Sequence, residues 1–152
     1  MDTAYTMEIM TRLIVAMLLG SILGTERIIA HKTAGVRTYA LVAMASALFV
    51  IIADEVNRTY LGLGIIGIQP TYVFAQIVVA IGFLSGGLFL KQDNHISGLT
   101  TASGLWITAA IGAAVGYGMK TIAVLTTLLT LFIFTILWFL EKKIKDLNSE
   151  NI

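Results

Sequence analysis

From Thr59 to Leu90 the chain runs without a charged side chain, and residues 38–53, 99–119 and 121–140 are likewise uncharged. In hydrocarbon every backbone N–H and C=O must be satisfied within the protein, so apolar runs of about 20 residues fold as spanning α-helices. Only 12% of residues are charged, against about 25% in an average soluble domain, and 57% are hydrophobic. Mean hydropathy is +0.88. The chain reads as an all-α integral membrane protein. It has no cysteine, which excludes a disulfide framework and thiolate chemistry. A net charge of +1 gives no reason to expect nucleic acid. The first ten residues carry Asp2 and Glu8 but no Lys or Arg. They lack the basic start of a cleavable signal peptide, so the first apolar segment is expected to remain as a helix.

Five transmembrane helices are expected, at about 7–26, 38–54, 71–90, 99–117 and 121–140. They form one membrane domain over 1–140, followed by a short charged cytoplasmic tail at 141–152. The uncharged run 59–90 is too short for two helices and a turn. Gln69-Pro70 breaks it, and Pro70 suits the first turn of a helix. The glycine-rich Leu61–Ile68 is then left to lie in the interface or dip inward. Basic residues set the orientation. With the N-terminus outside, the inner face holds Arg27, Lys32, Arg37, Lys91, Lys142, Lys143 and Lys145, and the outer face holds Arg12, Arg58 and Lys120. The bias favours N-out, C-in. Trp138 and Phe139 then fall at the inner interface, and Tyr60, Tyr72 and Tyr117 near the outer one.

Small residues four apart let helices approach closely in lipid. Ala16, Gly20 and Gly24 form such a stripe on helix one, Gly82 and Gly86 on helix three, and Gly112 and Gly116 on helix four. Helices one, three and four are therefore expected to form the tight centre, with helix five facing lipid. The stripes suit packing within the chain first and a homodimer seam second.

Charges cluster between helices one and two. Glu26, Arg27, Lys32 and Arg37 lie in a short link against hydrocarbon, where charge is costly. Glu26 is expected to pair with Arg37 or Lys32, with the remaining cations meeting anionic lipid. Gly35 suits a left-handed turn and Thr38 suits a helix cap. The sharper alternative is a cytoplasmic anion or partner-docking site. Gly98, Thr100 and Thr101 open helix four from the same side, with the threonines as caps. A candidate polar path continues inward through Gln76, Ser85, Ser103 and Thr108, against the simpler reading of hydroxyls bonded to their own helices.

No carboxylate falls in the middle of a span. Magnesium wants oxygen ligands, often carboxylates, and only the adjacent Asp54 and Glu55 offer a weak pair. Asp93 and His95 read as a solvated loop pair. No nucleophile–base pair, phosphate loop or cofactor box is present, so a non-enzymatic protein without a cofactor is expected.

Three blocks resemble the MgtC/SapB family. Gly20-Ser21-Ile22-Leu23-Gly24-Thr25-Glu26-Arg27 is similar to its G-x-x-x-G-x-E-R motif, and Ala34-Gly35-Val36-Arg37-Thr38 to its A-G-[LV]-R-T. Residues 75–87, Ala75-Gln76 through Gly82-Phe83 to Gly86-Gly87, resemble the family's third-helix run. Ser97-Gly98-Leu99-Thr100-Thr101 through Trp106 resembles a third block. The resemblance covers roughly 16–118 and fits a short form without the soluble C-terminal domain of longer members. It implies an inner-membrane protein linked to magnesium limitation, acid stress and, in pathogens, virulence inside host cells. It leaves open a regulator of other membrane machinery, a magnesium or other divalent-cation transporter or channel, and a small scaffold subunit of a membrane complex. The lack of buried acids favours the regulator, as a homo-oligomer with a dimer favoured. The signature places Glu26, Arg27, Gly35, Arg37 and Thr38 in the loop. Tyr72 and Ser97 stand where members commonly have arginine, and Ala80 and Ser85 replace two glycines.

A single cysteine at Lys32 tests the orientation in this cysteine-free chain. An impermeant maleimide should leave it unlabelled in intact cells and label it once the membrane is opened. Labelling from outside would invert the topology.

Overall fold

The computed structural model describes residues 3–65, 69–88, 90–92 and 95–149. Helix α1 is Thr3–Ile29, α2 is Val36–Gly62 and α3 is Pro70–Gly86. A two-stranded antiparallel ribbon follows, β1 (Leu90–Gln92) and β2 (His95–Ser97), with Leu90 opposite Ser97. Helix α4 is Leu99–Gly116. The last helix runs as α5 (Lys120–Phe132), a π-helical turn (Ile133–Leu137) and α6 (Trp138–Ser149). The architecture is all-α apart from the ribbon. Helices α1, α2, α4 and the segment Lys120–Glu141 are each long and apolar enough to cross a membrane, whereas Thr71–Gly86 is a shorter apolar helix.

Several boundaries differ from expectation. Helix α2 continues past Asp54 to Gly62, because Asp54, Glu55, Arg58 and Thr59 find partners along and beside the helix. Arg58 pairs with Asp54 at 3.1 Å, one turn apart, and Thr59 donates to the Glu55 carbonyl at 3.0 Å. Helix α3 begins with Pro70 in its first turn, as the sequence suggests, but ends at Gly86 rather than at residue 90, where the ribbon starts. The segment read as a tail is helical to Ser149. Of the glycine-rich stretch before Gln69, Leu61 and Gly62 finish α2, while residues 66–68 lie outside the described residues. Asp93 and the His95 side chain also lie outside them.

The tight centre is α1, α2 and α4, not α1, α3 and α4. Ala43 on α2 is fully buried. A Cβ added to Gly20 of α1 would lie 2.9 Å from the Ala43 Cβ, and one added to Gly112 of α4 would lie 2.8 Å from its Cα. One alanine is thus gripped from two sides by glycines of different helices. The contact repeats along the seam. A Cβ added to Gly24 would lie 2.6 Å from the Val36 Cα, and one added to Gly116 would lie 2.8 Å from the Ala47 carbonyl oxygen and the Val50 Cβ. Without water to expel, lipid-embedded helices gain from close van der Waals approach, and glycine permits the closest. These contacts make α2 antiparallel to α1 and parallel to α4.

Arg12 closes the far end of this core. Its Nη1 donates to the Gly116 carbonyl at 2.8 Å and its Nη2 pairs with Glu8. A cation on the last carbonyls of α4 also complements that helix's dipole.

Helix α3 packs on α4 through Ile77 and Ile81, but its glycines do not take part. A Cβ at Gly82 or Gly86 would meet nothing within 4 Å. The residue after Gly82, Phe83, is 89% exposed. The expectation that this stripe joins the central packing is therefore corrected: it faces outward. Helix α5 buries Ala123, Thr127 and Thr130 and exposes most of its other side chains.

Two substitutions separate these roles. Gly112→Leu should destabilise the chain by about 3 kcal/mol, the range for overpacking, because the opposing atoms are backbone. Gly82→Leu should leave the melting temperature unchanged in a detergent that holds the chain as a monomer. Equal melting of Gly112→Leu and the parent would refute the seam.

Candidate functional site

Arg27 was expected at the membrane surface but is 2% exposed. It sits in the last turn of α1, where the helix dipole favours a cation. Its Nε and Nη2 both donate to the Glu26 carboxylate next to it. The expected pairing of Glu26 with Arg37 or Lys32 is thereby corrected. Arg37 and Lys32 are both exposed. The Arg27 guanidinium lies flat enough over the Phe134 ring to bring its Cζ 3.5 Å from the ring centroid. A planar cation against an aromatic face gains about 2 kcal/mol or more when desolvated.

Phe134 reaches the arginine because the last helix carries an inward stripe, Ala123, Thr127 and Thr130 of α5 and then Phe134, at helical spacing. The stripe ends there in the π-helical turn. From that turn the Thr135 hydroxyl donates back to the Leu131 carbonyl of α5 at 2.7 Å. Wider turns of this kind recur at functional sites.

Tyr39 of α2 completes the cluster. It is fully buried, and its hydroxyl donates to the Thr101 carbonyl at 3.3 Å. Gly104 of α4 makes the space: a Cβ there would collide with the Tyr39 hydroxyl and stand 2.7 Å from the Phe134 Cζ. Four helices therefore converge on one polar group with an aromatic lid.

The link is built differently from expectation. His31, not Gly35, holds the left-handed conformation, with φ 53°. Lys32 N–H donates to the Arg27 carbonyl and His31 N–H to the Ile28 carbonyl, both at 2.9 Å. This double bond pattern ends a helix with one left-handed residue. Gly35 is extended, at φ −116° and ψ −158°. Its smallness has another cause, since a Cβ would come within 2.8 Å of the Ile28 side chain. Gly35 itself precedes α2, and Thr38 lies inside the helix without capping it. Gly98 precedes α4 at φ 92°, a conformation that favours glycine. Neither Thr100 nor Thr101 caps α4 through its side chain. Thr101 is buried and contributes its carbonyl to Tyr39, while Thr100 is exposed.

The candidate polar path is dispersed. Ser103 and Thr108 donate to carbonyls four residues back, at 3.0 and 2.7 Å, with Ser103 exposed and Thr108 buried. Gln76 is exposed on α3. Ser85 is buried, and its hydroxyl has no hydrogen-bond partner among the described residues.

Asp54 and Glu55 stand at the opposite end of the bundle and diverge. Asp54 pairs with Arg58 and borders a cavity of about 110 Å³ with Asn57 and Gln69. Glu55 accepts a 2.6 Å hydrogen bond from the Tyr5 hydroxyl. One carboxylate answers a guanidinium and the other a phenol, so the two do not fit a magnesium site. Among the described residues no three Asp, Glu or His side chains come together as metal ligands.

Tyr39, Gly104 and Phe134 were missed in the sequence. The signal for Phe134 was its place on the inward stripe of the fifth helix. Arg27→Ala strands the Glu26 carboxylate and uncovers Phe134. It should cost about 3 kcal/mol, as for breaking a buried pair. Arg37→Ala should leave thermal stability in detergent unchanged. Equal losses from the two would show that the burial of Arg27 has no energetic consequence.

The profile of the MgtC family matches residues 13–143. A protein of Escherichia coli named as a putative magnesium transporter, YhiD, is 36% identical over 143 residues, covering 94% of this chain and 66% of the relative. An uncharacterized Synechocystis protein is 44% identical over 124 residues, covering 82% of this chain and 50% of its own length. Protein MgtC of Brucella abortus is 40% identical over 112 residues, covering 74% and 44%. The chain thus spans about half to two thirds of the length of these relatives. No solved structure matches it. With several apolar helices long enough to cross a bilayer and a family profile matched over most of its length, the chain belongs to the MgtC family and is a multi-pass inner-membrane protein.

Proposed function

We propose that the chain is a non-enzymatic regulator of other membrane machinery, acting by helix–helix contact, in the physiology of magnesium limitation, acid stress or virulence. In this reading it crosses the membrane five times, N-out and C-in, and works as a homodimer. The observation that supports it most is the distribution of its glycines. Gly20, Gly24, Gly112 and Gly116 draw α1, α2 and α4 into close contact, which leaves no room for even a methyl group at those four positions. Gly82 and Gly86 instead lie on the open surface of α3, beside the exposed Phe83. A face able to take a helix backbone at close range suits a protein that acts by contact.

The buried Arg27 cluster serves this reading as a brace. It ties the α1–α2 link to the last helix, so the exposed Arg37 and Lys32 are presented from a fixed base. The second reading is a magnesium or other divalent-cation transporter, prompted by the name of the Escherichia coli relative. Any conduction would have to avoid the α1–α2–α4 seam, since that seam is closed by backbone.

Uptake of labelled magnesium into proteoliposomes holding only this chain separates the two. The regulator reading expects no saturable flux. Saturable flux above empty liposomes would overturn it in favour of transport. In cells, Arg37→Ala should insert normally, because the basic bias remains six to three, yet lose activity under magnesium limitation. Full activity would remove the inner loop from the mechanism.

A further inference from the structure

Helices α2 and α3 diverge and leave a groove on the outer surface of the bundle. It consists of two adjoining hollows of about 380 and 160 Å³, which share Phe49, Ile77 and Ala80. Its walls are almost wholly apolar. Gln76 lines the larger hollow and is exposed, and its amide has no hydrogen-bond partner among the described residues. Gln76 stands six residues into α3, about 9 Å from the helix start at 1.5 Å per residue. An amide facing hydrocarbon without a partner costs several kcal/mol.

The occupant of the groove must therefore do two things. It must fill an apolar trough, and it must bring a hydrogen-bonding group to the depth of Gln76. An acyl chain does the first and not the second. A second copy of the chain does both. Because it is inserted in the same orientation, a two-fold axis along the membrane normal necessarily brings its own Gln76 to the same depth. A primary amide is donor and acceptor at once, so two of them are complementary to each other. Further along α3, Gly82 and Gly86 leave open space where a neighbouring backbone can approach.

We propose that a second copy of this chain seats its α3 in the α2–α3 groove, and reciprocally, with the two Gln76 amides hydrogen-bonded across the two-fold axis. The interface is isologous and closes at two copies. This deepens the dimer of the preceding reading and rests on it. The regulatory role is tested separately, by the growth and flux measurements above.

The chain has no cysteine, so single-cysteine variants report on the interface without a background. Val79, 68% exposed, lies between Gln76 and Gly82 on α3, and Leu128, 58% exposed, lies on the outer face of α5. Val79→Cys and Leu128→Cys proteins are purified, reconstituted in phosphatidylcholine liposomes and oxidised with copper phenanthroline. A disulfide needs Cα atoms within about 7 Å. The expected result is a covalent dimer from Val79→Cys in several-fold higher yield than from Leu128→Cys. Adding Gln76→Leu should cut the Val79→Cys yield several-fold, and Gln76→Asn should restore part of it, with unchanged helical content in each variant. Equal yields at the two positions, no dimer at Val79, or a yield indifferent to Gln76→Leu would each overturn the proposal. No dimer at Val79 is also the outcome if acyl chains or a heterologous helix fill the groove. Since only the purified chain is present, none of these outcomes depends on whether it regulates anything.

Discussion

The structure depends on one alanine held between two glycines. Ala43 on α2 is pinched by Gly20 of α1 and Gly112 of α4, close enough that an added methyl on either glycine would overlap it. In water such a core would gain from burying large apolar side chains. In lipid that driving force is absent between helices, so close backbone approach takes its place. Many of the large aromatic side chains are accordingly on the outside: Phe49, Phe83, Trp106 and Phe132 are exposed, whereas Tyr39 and Phe134 are buried around Arg27.

Close packing of α1, α2 and α4 has an electrostatic consequence. With Gly24 against Val36, the link between α1 and α2 is drawn tightly over the end of the bundle. Arg27, in the last turn of α1, is carried inward rather than into the headgroups. A buried guanidinium persists only with a countercharge and good contacts. Glu26 supplies the first and the Phe134 face the second. His31 ends α1 so that the Arg27 carbonyl is also satisfied. At the other end Arg12 repeats the principle in simpler form, holding Glu8 and the last carbonyl of α4 together. The two ends of the core are thus tied by arginine, and its middle by glycine.

The membrane class, the four long apolar helices, the start of α3 at Pro70 and the packing of Gly20, Gly24, Gly112 and Gly116 were legible in the residues. Each follows from a local property: hydropathy over a window, a ring that fixes φ, or small residues four apart. The same rule misled for Gly82 and Gly86, because spacing says that a helix can be approached closely and not by what. Glu26 misled in a similar way. Its candidate partners Lys32 and Arg37 were plausible by charge, yet the adjacent Arg27, buried against Phe134, took its carboxylate. Tyr39 and Gly104 carried no signal, since their pairing spans sixty-five positions and one of them is only the absence of a side chain.

The sequence by itself determined the medium and the elements. Uncharged runs of this length have no stable conformation in a bilayer except hydrogen-bonded helices, and that holds whatever surrounds them. Only the tertiary structure decided which helix is central, which arginine is buried and which glycines stay open. Those outcomes turn on the rotation of one helix against another. In lipid the apolar faces of a helix are nearly equivalent, so the choice falls to contacts between residues far apart in the chain.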